Sequence, residues 1–385
     1  MQAVVYRGRN RLRVEDVPDP KIEQPRDAIV RITLTTICGT DIHLVNGTIP
    51  GMKKGTILGH ECVGVIEDLG EEITNLSRGD RVVVLSTIAC GRCDACKKGH
   101  FAHCLETPVA PGTYFFGSPA EAGSLNGMQA DFVRVPFADV GCVKIPDALD
   151  DVAALAASDI MPTAFFGLDR LELEEGQNVV ILGAGPVGQM AVAGAHRAGC
   201  AKIIVVDREE SRLDCANRFP EVETVDYSSW FGPVKEVLAK TGGQGADAVL
   251  DCVGVDASSP WGFHDPGRAI QWASEIVRPE GRFGIIGIYP EVLDSVPLGV
   301  FLEKNISITG GNCNHKAFID DCLAFLVEHP EEGREVFTHR APLADMPDAY
   351  DAFVAKKDGM IKCLLLPETS PALKKEEAVA AVPSL

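Results

Sequence analysis

Through the first part of the chain, apolar and polar positions alternate in short runs, most clearly in DAIVRITLTTI, ECVGVIEDLG and DRVVVLST. Each run is bounded by Gly, Pro, Asp or Asn, and a period of two between such breakers predicts strands. Many short strands in succession predict a compact, partly open β-rich barrel. Around Ala153 the period changes. In DVAALAASDIMPTAFFGLDRL the apolar and small residues recur at helical spacing, and from there strands and helices alternate. Strands are predicted at Asn178 to Leu182, Lys202 to Asp207, Glu223 to Asp226, Asp247 to Val253, Arg282 to Ile288 and Ile306 to Gly310. Most are short apolar runs, as expected of strands buried on both faces of a parallel sheet. The segments GQMAVAGAHRAG, ESRLDCANRF and PVKEVLAKTG between them read as helices, so the repeated βα units predict an α/β doubly wound parallel sheet. Beyond Gly311, AFIDDCLAFLVEH reads as a helix and MIKCLLL as a closing strand that returns to the first domain.

This pattern divides the chain into residues 1–157, a β-rich domain with a cysteine lobe at about 90–104; residues 158–312, the doubly wound domain; and residues 313–367, the return. Residues 368–385 show no packing pattern and are expected to be mobile. At 385 residues the chain is long enough for two domains that each bury a core. The formal net charge of −19 argues against a nucleic-acid partner, because no Lys/Arg run offsets it. No stretch reads as a membrane span, and the strand-like start MQAVVYRGRNRLRVEDV does not read as a signal peptide. Thirteen cysteines without an export signal read as reduced thiols, some holding metal, with a cytoplasmic location as the expectation.

Cys90, Cys93, Cys96 and Cys104 lie in CGRCDACKKGHFAHC, two overlapping C-x2-C pairs with a fourth thiol seven residues on. Four thiolates on one short loop can close tetrahedrally on Zn2+ and leave no open position, which describes a structural site. His100 and His103 lie inside the loop and read as surface residues. Upstream, TTICGTDIHLVNG and ILGHEC supply Cys38 and His60. A thiolate and an imidazole, with a third protein ligand and an open position, meet the needs of a Lewis-acid zinc. Taken alone they are equally compatible with buried core side chains.

In VVILGAGPVGQMAVAGAHRAG, Gly183, Gly185 and Gly188 form G-x-G-x-x-G between a predicted strand and helix, with Pro186 and Val187 opening the helix. Such glycines allow a tight turn, close approach of backbone to a pyrophosphate and close helix packing, with the helix N-terminus facing the phosphates. IIVVD follows and ends in Asp207, where a carboxylate binds ribose hydroxyls and repels a 2′-phosphate. NAD is favoured over NADP on that ground. Arg208 is adjacent and able to pair with such a phosphate, which leaves NADP or dual use open.

Through the C-G-T-D-x-H and G-H-E motifs, the four-cysteine lobe and the glycine turn, the chain resembles the zinc-containing medium-chain alcohol dehydrogenase family over nearly its full length. The resemblance implies a GroES-like catalytic domain beside the Rossmann sheet, with one catalytic and one structural zinc. It implies that Cys38 and His60 hold the catalytic zinc, that Glu61 is an outer or alternate ligand, and that Asp41 orients His60. It also implies that Thr40 contacts the substrate oxygen and that His43 continues a proton relay. The aligned segment SDIMPTAFFG offers Asp159 where some members use a second cysteine. That substitution is similar to the glutathione-independent formaldehyde dehydrogenase branch, as are VGVDASSPWGFHDPGRAIQWASEIV and GNCNHKAF. In that branch the insertion covers the bound cofactor; an ordinary surface loop is the alternative, with Trp261, Phe263 and His264 filling a local cluster. Lys362 stands where family members place a basic residue toward the pyrophosphate, with plain surface charge as the other reading.

The activity implied is reversible, NAD-dependent oxidation of a small alcohol to an aldehyde or ketone. The alternatives are a formaldehyde dehydrogenase or dismutase with tightly held NAD, and a non-catalytic NAD-binding protein on the same fold. Family membership further implies a homodimer or homotetramer.

Overall fold

The computed structural model describes residues 1–228, 232–370 and 382–385. The chain forms two compact units, one of Met1–Pro162 with Asn314–Leu385, the other of Thr163–Cys313.

The first unit begins with an antiparallel hairpin of β1 (Gln2–Gly8) and β2 (Arg11–Asp16). There follow β3 (Ala28–Thr36), β4 (Cys62–Leu69), β5 (Arg81–Val84), β6 (Phe132–Val135) and β7 (Cys142–Lys144). Val30, Ile32, Ile66, Val82, Val84, Phe116 and Met128 fill the core beneath them, and each such buried side chain contributes about 1.5–3 kcal/mol.

In the second unit β8 (Asn178–Leu182), β9 (Lys202–Asp207), β10 (Val222–Asp226), β11 (Ala246–Asp251), β12 (Val277–Ile285) and β13 (Ser307–Gly310) form one all-parallel sheet, in the order β10-β9-β8-β11-β12-β13. The order reverses between β8 and β11, and the crevice beyond the carboxyl ends of strands at such a switch point is where open α/β sheets bind ligands.

The chain then returns to the first unit, where β14 (Phe337–Pro342) and β15 (Lys362–Leu366) complete a sheet of order β14-β15-β3-β4-β5-β7, with β6 also pairing to β3. All of its pairs are antiparallel except β14 with β15. A doubly wound α/β sheet and a partly open β-rich barrel are thus both present.

Three local features depart from the sequence pattern. The helical periodicity of DVAALAASDIMPTAFFGLDRL is interrupted: helices Asp151–Leu155 and Ile160–Arg170 are separated by a tight turn that ends at Asp159, whose φ of −148° and ψ of −59° are not helical. The 254–276 stretch is not loop throughout, because Arg268–Ile276 is a helix that buries Ala269, Ile270, Trp272, Ala273 and Ile276. Trp261 and Phe263 are 58% and 72% exposed, while His264 Nε2 lies 2.8 Å from the Val255 carbonyl.

At the chain end, Arg340 N–H donates to Pro383 and Leu385 N–H donates to Arg340, so residues 382–385 lie against β14. Of the tail expected to be mobile, residues 368–385, the part from 371 to 381 lies outside the described residues. Among the described residues no single helix is long and apolar enough to cross a membrane.

Candidate metal centres and nucleotide turn

In the cysteine lobe, the Sγ atoms of Cys90, Cys93, Cys96 and Cys104 all lie within 4.8 Å of one another. Cys90 to Cys96 and Cys93 to Cys104 are each 4.0 Å. A tetrahedron of thiolates at the usual Zn–S distance has edges of ~3.8 Å, so the lobe is folded to the size of that ion. The backbone is wrapped to match. Cys90 Sγ accepts the N–H groups of Arg92 and Cys93, Cys93 Sγ those of Cys96 and Leu105, and Cys104 Sγ that of Cys90. Burial would raise the Cys93 thiol, but these N–H groups pull it down to about 6. His100 and His103 are exposed.

Cys38, His60, Glu61 and Asp159 form a second group, with donor atoms within 4.8 Å of one another. Cys38 is the N-cap of helix Gly39–Asn46. Asp41, in the first turn of that helix, accepts the Cys38 N–H at 3.0 Å and the Gln129 amide at 3.0 Å through Oδ2, while its Oδ1 lies 3.4 Å from His60 Nδ1. Thr40 Oγ1 is 3.8 Å from Cys38 Sγ, and His43 is buried.

Asp159 arrives at the site because the helical run breaks. The hydroxyl of Ser158 donates to the Val84 carbonyl at 2.6 Å and accepts the Cys62 N–H at 3.2 Å, pinning the break to β4 and β5. Asp159 Oδ2 then lies 3.9 Å from both Cys38 Sγ and His60 Nε2. One soft thiolate, partly buried, with one buried imidazole and one buried carboxylate, converging at these spacings, fit Zn2+ with a position to spare. Burial would push the Asp159 carboxyl up, but His315, His60 and Lys362 hold it well below the ordinary carboxylate range.

Glu61 is the fourth donor of the group. Its Oε1 accepts the Lys362 ammonium at 2.7 Å, and its Oε2 has no hydrogen-bond partner. Lys362 is fully buried and also donates to the Ile37 carbonyl at 3.1 Å. The surface-charge reading of Lys362 is therefore wrong: it belongs to the metal group, as the counter-charge of a buried acid. Sequence reasoning also missed His315, whose Nε2 lies 2.8 Å from Asp159 Oδ1. Its only signal was the segment GNCNHKAF, in which no spacing marks the histidine as a partner of a residue 156 positions away.

In the second unit, Gly183 takes a φ of +95° and its N–H donates to Val206 at 2.8 Å, closing the turn after β8. A side chain at Gly188 would place its Cβ 1.9 Å from the Gly183 carbonyl oxygen. At Gly185, the N-cap of helix Pro186–Arg197, nothing lies closer than Arg212 Nη1 at 3.7 Å. Backbone with open space in front of a helix N-terminus, first turn Pro186 and Val187, is the shape that admits a pyrophosphate. Asp207 accepts the Ala184 N–H at 2.7 Å through Oδ2, and the Arg208 and Glu209 N–H groups at 2.7 and 3.0 Å through Oδ1. The Arg208 guanidinium lies 5.9 Å from the Tyr227 ring centre, turned toward Gly262.

Residues 24–147 match the family described as alcohol dehydrogenase GroES-like domain, and residues 186–328 match the zinc-binding dehydrogenase family. The zinc-type alcohol dehydrogenase-like protein AdhB of Bacillus subtilis is 35% identical over 384 residues, covering 95% of this chain and 100% of that protein. The glutathione-independent formaldehyde dehydrogenase of Pseudomonas aeruginosa is 33% identical over 302 residues, 75% of each chain. Among solved structures, the alcohol dehydrogenase TADH from Thermus sp. ATN1 superposes with a TM-score of 0.83 at 34% identity, covering 96% of this chain and 100% of that one. Two metal-sized donor groups, a nucleotide turn and full-length similarity converge: the chain belongs to the zinc-containing medium-chain alcohol dehydrogenase family.

Proposed function

We propose that the protein is an NAD-dependent zinc alcohol dehydrogenase, oxidising a small alcohol reversibly to an aldehyde or ketone. The observation that carries this reading is the convergence of Cys38, His60 and Asp159 beside a paired Glu61–Lys362. Zinc held by Cys38, His60 and Asp159 supplies the Lewis acidity that lowers the pKa of an alcohol hydroxyl. NAD, bound at Gly183, Gly185, Pro186, Val187 and Gly188 with its ribose at Asp207, supplies the hydride acceptor.

The chain's own residues do the rest. Thr40 accepts the hydroxyl proton and releases its own, which passes by way of the cofactor ribose to His43 and on to solvent. Asp41 holds His60 by its Nδ1, and Lys362 anchors Glu61 through Oε1, leaving Glu61 as an alternate donor when the substrate leaves. The cysteine lobe holds the second zinc and does no chemistry. In this reading the unit of Met1–Pro162 with Asn314–Leu385 is the catalytic domain and Thr163–Cys313 binds NAD, so Asp159, which the 157/158 boundary expected from the sequence put in the doubly wound domain, belongs to the catalytic one. A cytoplasmic homodimer or homotetramer suits the exposed edge strand β13 and its partly exposed Ile308.

Similarity to a formaldehyde dehydrogenase favours one second reading, oxidation or dismutation of formaldehyde with NAD retained. The test is absorbance at the NADH band for zinc-loaded protein given NAD and a panel of primary, secondary and polyol alcohols plus formaldehyde. A rise with one alcohol class, lost on chelation, is expected. Alcohol and acid formed from formaldehyde without added cofactor would instead select dismutation. No turnover of any substrate, with zinc and NAD both bound, would leave a non-catalytic NAD-binding protein.

A further inference from the structure

Helix His315–Glu328 begins with two residues that reach in different directions within the first unit. Asn314, its N-cap, accepts the Ala102 N–H at 2.9 Å through Oδ1, in the short turn between Cys96 and Cys104 of the lobe. His315 reaches the other way. Its Nε2 is 2.8 Å from Asp159 Oδ1 and its Nδ1 is 3.0 Å from Thr87 Oγ1, with all three side chains buried.

We propose that His315 is a positioning residue that makes Asp159 a one-oxygen ligand of the metal. The inference rests on the reading of Asp159 as a ligand. A carboxylate at a metal has two equivalent oxygens, and without an outer partner it turns freely between one-oxygen and two-oxygen binding. Here Oδ1 is taken by the imidazole, while Oδ2 faces Cys38 Sγ and His60 Nε2, each at 3.9 Å. An ionised Asp159 only accepts, so the ring hydrogen belongs on Nε2, and in the neutral ring Nδ1 then accepts the Thr87 hydroxyl at 3.0 Å. Asn314 fixes the helix start from which His315 projects, so the ring is held at both ends. Partners of this kind that orient a ligand typically contribute a factor of 10–100 in metal affinity. One-oxygen binding also leaves room at the metal for a substrate oxygen.

The test uses full-length protein from which the more labile metal has been removed while the cysteine lobe keeps its zinc. Co2+ is then titrated in, and the Cys38 thiolate charge-transfer band and the d–d bands are followed. His315→Ala is expected to bind Co2+ about 10–100-fold more weakly, with shifted d–d bands. His315→Gln, whose amide N–H can reach the same oxygen, is expected to recover most of both. Wild-type affinity and bands in His315→Ala, while Asp159→Ala loses Co2+, would overturn the positioning role and leave the ligand reading standing. Wild-type behaviour in Asp159→Ala as well would overturn the ligand reading, and the proposal with it. Equal weakening in the Ala and Gln variants, with melting temperatures falling together, would mark a packing role and also overturn the proposal. Should His315→Ala fail to fold, Thr87→Val carries the test: a loss of about 10-fold is expected, and an unchanged titration would overturn the proposal.

Discussion

The ammonium of Lys362 lies 2.7 Å from a carboxylate oxygen of Glu61 at a place where both side chains are excluded from solvent. Burial works against the Lys362 charge, but Glu61 and Cys38 outweigh it and raise the pKa. Such a pair contributes little net stability, yet breaking it strands a buried charge at a cost of about 3–5 kcal/mol. Lys362→Met is therefore expected to lose that much stability in guanidinium titrations. Glu61→Gln combined with Lys362→Met is expected to recover most of it. Additive losses in the double variant would show that the two charges do not depend on each other.

The glycines of the nucleotide turn separate by what faces them. Gly185 has an extended backbone open to any residue and free space in front of it, so Gly185→Ala is expected to keep the melting temperature. Its added methyl occupies the ground a pyrophosphate needs, and NAD affinity is expected to fall at least about 10-fold, or 1.4 kcal/mol. Gly188→Ala drives a Cβ into the Gly183 carbonyl, and a stability loss of about 1–3 kcal/mol or more is expected. Calorimetry of NAD binding beside thermal melts reads both. A Gly185→Ala variant that bound NAD normally would remove the pyrophosphate from this turn.

Asp150 caps helix Asp151–Leu155 by accepting the Val152 and Ala153 N–H groups at 3.0 Å, and it pairs with Arg334 Nε at 2.9 Å. Burial pushes its carboxyl up, but Arg334 and the cap N–H groups outweigh that and lower the pKa. A folded-state pKa below the unfolded value of about 3.9 means stability that is present above that pH and lost as pH falls through the folded value. Asp150→Asn keeps the cap and removes the charge, and a partly exposed pair of this kind contributes about 0–1 kcal/mol. The stability gap between wild type and Asp150→Asn is expected to close as pH drops below 4, roughly the unfolded value. A gap that did not change with pH would show that it does not come from the Asp150 charge.

What was legible in the chain was local. Cys90 to Cys104 lie on one short loop, so their spacing alone describes the donor group, and Gly183 to Gly188 sit between a strand and a helix that the apolar periods mark. Asp159 was harder. Its neighbours Leu155, Ala156, Ile160 and Met161 continue a helical period, and the break depends on Ser158 bonding to β4 and β5, which no local pattern shows. Lys362 pairs with a residue 301 positions away and His315 with one 156 positions away. A lone lysine in a strand and a lone histidine at a helix start look the same whether they face solvent or a buried acid.

Asp207 has two tasks, and they predict an uneven response to substitution. Its carboxylate holds the Ala184, Arg208 and Glu209 N–H groups and so shapes the turn. In the proposed NAD-binding reading the same negative charge stands where a 2′-phosphate would come, with Arg208 next in the chain. Asp207→Ser removes the repulsion and loosens the turn, so absolute activity is expected to fall with both cofactors. The ratio of kcat/KM for NADP to that for NAD isolates the charge. Hydrogen bonds to a charged group are worth about 1.5–3 kcal/mol, so the ratio is expected to rise by roughly 10- to 150-fold. Arg208→Ala in the same background is expected to reverse most of that gain, because Arg208 directly follows Asp207 in the chain and offers a guanidinium to the phosphate. A ratio unmoved by Asp207→Ser would mean that cofactor choice is made elsewhere, and steady-state kinetics with both cofactors decides it.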